Sequence, residues 1–67
     1  MKYTIEILRD AADGREQLLH RATVEEISPR WVKTRAKQLL GGWRHRAASV
    51  ARVLNRHGEE LYRVTDT

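Results

Sequence analysis

Cysteine is absent from this chain, which excludes disulfides and thiolate metal sites. Phenylalanine is also absent, proline occurs once, and aromatic residues are 6% of the sequence. No apolar run approaches the ~20 residues of a membrane-spanning helix. The start, Met1-Lys2-Tyr3-Thr4-Ile5, has neither the uninterrupted apolar stretch nor the small-residue cleavage site of a secretory signal. His20, His45 and His57 are scattered and form no pair at the spacing of a structural zinc site. The expectation is a cytoplasmic domain with no metal, no other cofactor and no small-molecule substrate.

With 67 residues there is room for one core and one domain. A chain this size buries only about 60% of the surface its unfolded form exposes, so small domains lean on disulfides, metals or oligomerisation. The first two are excluded, and self-association remains. The net charge is +4 and the calculated pI about 10.1. That balance permits nucleic-acid or acidic-partner binding without requiring it.

Tyr3 to Arg9 alternates, with Tyr3, Ile5 and Ile7 on one side and Thr4, Glu6 and Leu8 on the other. This is the period of a half-buried strand. Asp10-Ala11-Ala12-Asp13-Gly14 breaks it with turn formers, and Glu16 to Val24 reads as the second strand of a hairpin. Asp10-x-x-Asp13-Gly14 lacks the alternating oxygen ligands and terminal Glu of a calcium loop. Ser28-Pro29 predicts a helix start, Ser as N-cap and Pro in the first turn. Val32, Ala36, Leu39, Leu40 and Trp43 then recur on one helical stripe. Gly41-Gly42 predicts the stop. The capping pattern Thr23-x-x-Glu26 offers an earlier start, at the cost of placing Pro29 inside the helix. Ala48 to Leu54 reads as a third strand, Asn55 to Gly58 as a turn, Glu60 to Val64 as a fourth strand, and 65–67 as a frayed tail.

The predicted fold is α+β: a two-layer ββαββ domain of two antiparallel hairpins with one helix packed on one sheet face. Alternation assigns Tyr3, Ile5, Ile7, Leu18, Ala22, Val24, Ala51, Val53, Tyr62 and Val64 to the covered face. The open face would carry Leu8, Leu19, Leu54 and Leu61 among Thr4, Glu6, Arg21, Arg52 and Arg63. One leucine per strand is more contiguous apolar surface than a small monomer usually leaves exposed. That pattern points to a homodimer or a docked protein partner on the open face.

Tyr3-Thr4-Ile5-Glu6-Ile7, the helical run Thr34-Arg35-Ala36-Lys37-Gln38-Leu39-Leu40, and Ala51-Arg52-Val53-Leu54 through Gly58 to Leu61-Tyr62-Arg63-Val64 together resemble a group of short bacterial ββαββ proteins of unknown function. This chain differs in opening its helix with Ser28-Pro29-Arg30-Trp31. The resemblance implies the fold and is silent on activity.

A second surface is basic. Arg30, Lys33 and Lys37 share one side of the helix, and Arg44 either continues that row or joins His45 and Arg46 beyond the helix. Such rows neutralise phosphates without precise geometry, and they also serve as the solvated back of an amphipathic helix. Trp31 lies off the apolar stripe, as a stacking platform for a base, as an anchor for a partner, or at the edge of its own core. Gly41-Gly42-Trp43-Arg44-His45-Arg46 is no phosphate loop, because those glycines follow a helix instead of preceding one. Nothing resembles a catalytic site. Ser28 has no Gly-x-Ser-x-Gly elbow around it, His20 falls in a strand, and Glu25-Glu26 and Glu59-Glu60 flank turns. A non-enzymatic binding module is the expectation.

Overall fold

A computed structural model of the chain describes residues 2–11, 13–25 and 28–65. Thr65, expected in a frayed tail at 65–67, instead pairs with Val50 as the last residue of the fourth strand, while 66–67, the Glu26 of the alternative capping pattern and Ala12 of the first turn lie outside the described residues. The elements are β1 (Lys2–Asp10), β2 (Glu16–Glu25), α1 (Pro29–Gly42), a 3-10 turn (Arg44–Arg46), β3 (Val50–Leu54) and β4 (Glu60–Thr65). One four-stranded antiparallel sheet runs in the order β2-β1-β3-β4. This is the expected α+β arrangement of two hairpins and a helix.

Local chemistry explains the corners. Gly14 and Gly58 both have φ +83, a region that costs glycine nothing. Asn55 Oδ1 accepts from the amides of His57 at 2.8 Å and Glu59 at 3.0 Å, which closes the β3–β4 turn from within. Ser28 caps α1, its side chain accepting from the Arg30 amide at 3.3 Å.

The far end of α1 departs from expectation. The helix runs through Gly41 and Gly42, both at ordinary negative φ. The left-handed residue is Ala47, φ 63, after the 3-10 turn. Consequently β3 begins at Val50, not Ala48, and Ala48 is buried in the core. A Cβ added at Gly41 or Gly42 would meet nothing within 4 Å. Gly41→Ala with Gly42→Ala should therefore stabilise the fold by about 1–2 kcal/mol in total, from reduced freedom of the unfolded chain. Thermal unfolding followed by circular dichroism would register this as a rise in midpoint.

The core lies between α1 and the middle of the sheet. Tyr3, Ile5, Ile7, Ala51 and Val53 meet Val32, Ala36, Leu40 and Ala48. Val24, Leu39, Trp43, Tyr62 and Val64 pack round its edge. Trp43 thus belongs to the core rim, and His20, from β2, stacks on its ring with centroids 5.1 Å apart.

Leu18 and Leu19 exchange the faces that strict alternation assigned them. Ile7 pairs with His20 but Leu8 pairs with Leu18, leaving Leu19 as an extra residue. Such a bulge resets the period of two. Leu19 therefore packs against the core, while Leu18 joins the open face and is 44% exposed. A second bulge lies between Val53 and Leu54, which pair with Tyr62 and Glu60 and leave Leu61 unpaired.

Candidate nucleic-acid interface

Two surfaces remain: the open face of the sheet and the outer side of the helical layer. Register lines up the open face in cross-strand rows. One row is Arg21, Glu6, Arg52 and Arg63, with one residue from each strand. Glu6 is only 3% exposed. Arg21 donates to its Oε2 through Nε at 3.0 Å and Nη2 at 2.6 Å, and Arg52 Nε donates to Oε1 at 2.5 Å. Burial alone would push the Glu6 carboxyl up, but these hydrogen bonds and the two guanidinium charges more than offset it, and the carboxyl sits below its ordinary value.

Arg63, on edge strand β4, donates to Glu16 on the opposite edge strand at 2.8 Å, and also meets Glu60 at 3.0 Å. The hydrogen bond to Glu16 leads in raising the Arg63 pKa above its ordinary value. Strands spaced ~4.8 Å apart put the two edges about 14 Å from one another. The two long side chains reach across the open side to meet. The open face holds a depression of about 320 Å³ lined by Glu6, Leu8, Glu16, Leu18, Arg21 and Arg52.

This geometry revises the expected leucine patch. Leu8 does face the open side, but it is only 5% exposed, at the floor of the depression. Leu19 is on the other face. Leu54 is half-buried beside Thr4, and Leu61 is exposed at its bulge. Arg21, Arg52 and Arg63 are bound to carboxylates of the same chain. An open face with satisfied internal ion pairs offers less to a partner than four bare leucines would.

The helical layer is different. No Asp or Glu occurs between Glu26 and Glu59. Six of the 13 Lys and Arg residues fall within 29–46, and the other seven share the remainder of the chain with all nine Asp and Glu residues. The six are Arg30, Lys33, Arg35, Lys37, Arg44 and Arg46, and all are exposed. Val32, Ala36 and Leu40 hold the opposite stripe against the sheet, so the four helical cations lie off the buried side. The first turn of α1 has no acidic residue to complement its dipole, which makes that end more positive still.

At 3.6 residues per turn the helix divides its charges between two flanks. Arg30, Lys33 and Lys37 occupy one, and Lys33 Nζ lies 5.7 Å from the centre of the Tyr62 ring on β4. Trp31 and Arg35, one turn apart, occupy the other. Trp31 is 63% exposed, more than Leu18 or Leu61, and is not at the core edge. Arg44 does not extend the helical row; with His45 and Arg46 it forms the 3-10 turn, where His45 stacks on Trp43 at 6.2 Å. Sequence reasoning by helical rows missed Arg35. The signal that finds it is the long stretch without a carboxylate.

No helix among the described residues is long and apolar enough to cross a membrane. Comparison with models of protein families, with curated proteins and with solved structures returns no match.

Proposed function

We propose that this protein is a nucleic-acid-binding domain that meets phosphates with the outer side of its helical layer. The observation that carries the reading is charge segregation: six exposed cations and no carboxylate over residues 29–46, against an acidic remainder. A mixed solvated surface interleaves both signs. This one does not, and 14 helical residues present about 20 Å of it.

Fluorescence polarisation with labelled DNA and RNA oligonucleotides over a salt series tests the reading. Six phosphate contacts would give a log–log salt slope no steeper than about −5 on duplex DNA. Lys33→Gln with Lys37→Gln should make the slope shallower by about 1.5–2 and weaken binding across sequences. Absence of binding at low salt would end the proposal.

A second reading, docking of a protein partner or of another copy on the open sheet face, is favoured by the exposure of Leu18 at 44%. It rests now on Leu18 and Leu54, since Leu8 is covered, Leu19 is turned to the core and Leu61 is the unpaired residue of the β4 bulge. A dimer seen by light scattering and dissolved by Leu18→Lys would favour it.

A further inference from the structure

We infer that the Trp31 flank of the helix selects single-stranded nucleic acid, with the indole stacking on an unpaired base and Arg35 holding backbone phosphate beside it. This rests on the nucleic-acid reading above and adds what that reading lacks, since a row of cations does not distinguish one strand from two. Trp31 is 63% exposed, and no ring packs against it among the described residues. A large flat apolar surface left in water on a solvent-facing flank calls for something flat to cover it. Duplex DNA hides its base faces within the stack, whereas a single strand offers them, and base–aromatic stacking tolerates every base.

The placement supports this. Arg35 is one helical turn from Trp31, on the same flank and within reach of the same ligand. About 18 Å further along the axis, at 1.5 Å per residue, the chain presents another ring surface. There His20, Trp43 and His45 stack in series, with interplanar angles of 20° and 19°, and His45 is the exposed outer member. Arg44 and Arg46 flank His45 in the same 3-10 turn. Two ring stations with cations beside each are the elements of a sequence-tolerant single-strand site. The opposite flank has Arg30, Lys33 and Lys37 but no exposed ring of its own.

The experiment compares labelled single strands of oligothymidine and oligouridine with a duplex of equal length, using the full chain and the variants Trp31→Ala, Trp31→Phe and Arg35→Gln. Single strands should bind more tightly than the duplex. Trp31→Ala should weaken single-strand binding about tenfold and leave the salt slope unchanged, and Trp31→Phe should recover most of the loss. Arg35→Gln should make the single-strand slope shallower by about 0.7. Circular dichroism of Trp31→Ala should match the parent, because the side chain lies outside the core. Equal affinity for duplex and single strand, or no effect of Trp31→Ala, would overturn this inference while salt-dependent binding kept the charged surface standing. Absence of all binding would remove both.

Discussion

Replacing Glu6 by glutamine should lower the stability of the fold by about 2–3 kcal/mol. Breaking a fully buried ion pair by removing one partner costs about 3–5 kcal/mol. The figure here is reduced because the Arg21 side chain is 60% exposed and that of Arg52 34%, so water screens the charges left behind. Glutamine keeps the shape of the side chain but turns an amide donor towards guanidinium donors. It also leaves Arg21, Arg52 and Arg63 in one cross-strand row without its only carboxylate. A domain of this size has about 3–10 kcal/mol to lose. Urea unfolding at neutral pH would measure the difference.

The same residue sets an acid dependence whose sign follows from its depressed pKa. Below the ordinary carboxylate value of 4.5 the unfolded chain takes up the proton more readily than the folded one. The contribution of Glu6 is therefore complete above about 4.5 and fades as pH falls through the lower folded value. Parent and Glu6→Gln should accordingly converge in stability on acidification. A gap that stays constant down to pH ~3 would show that the carboxylate charge is not what the arginines hold.

Ile5→Ala should be the most damaging single truncation, at about 3–4 kcal/mol. Ile5 has no exposed surface, lies on a central strand between Ala22 and Val53, and belongs to the cluster that meets Val32 and Ala36 under the helix. Its loss opens a cavity that two layers of rigid neighbours cannot close. A matched pair of smaller truncations tests the bulge. Leu19→Ala removes a residue packed on the core, whereas Leu18→Ala removes one that is 44% exposed. Leu19→Ala should therefore cost more by about 1 kcal/mol, in denaturant unfolding of the two variants side by side. Strict alternation predicts the reverse order.

Much of this protein was legible before any fold was known. Ser28 and Pro29 open a helix because a hydroxyl can accept an orphan amide and a proline has none to lose. Val32, Ala36 and Leu40 bury because helical spacing stacks them on one side. Gly14 and Gly58 turn the chain because positive φ is free for them. The glycine pair at 41–42 misled, since glycine permits a left-handed cap without demanding one. The helix continued, and Ala47 took that conformation at a site where the 3-10 turn had to meet β3.

The α+β character, the two hairpins, the helix with its basic outer side and the place of Trp31 off the apolar stripe were determined by the sequence itself, whereas the exposure of Trp31 was not, since its position served a core edge equally well. Each depends on residues a few positions apart and on the periods of 3.6 and 2. The order β2-β1-β3-β4, the bulge at Leu19, the ion pair of Arg63 with Glu16 and the burial of Glu6 between two arginines were decided only by the tertiary structure. Those depend on hydrogen bonds and contacts between segments far apart in the chain, such as Glu6 with Arg52, and no local period encodes them. The open face shows the difference most clearly. As a pattern it was a row of leucines awaiting a partner. As a structure it is a concave surface whose charges are largely paired within the chain, while the stretch of sequence that has cations and no carboxylate, 29–46, forms the helical layer.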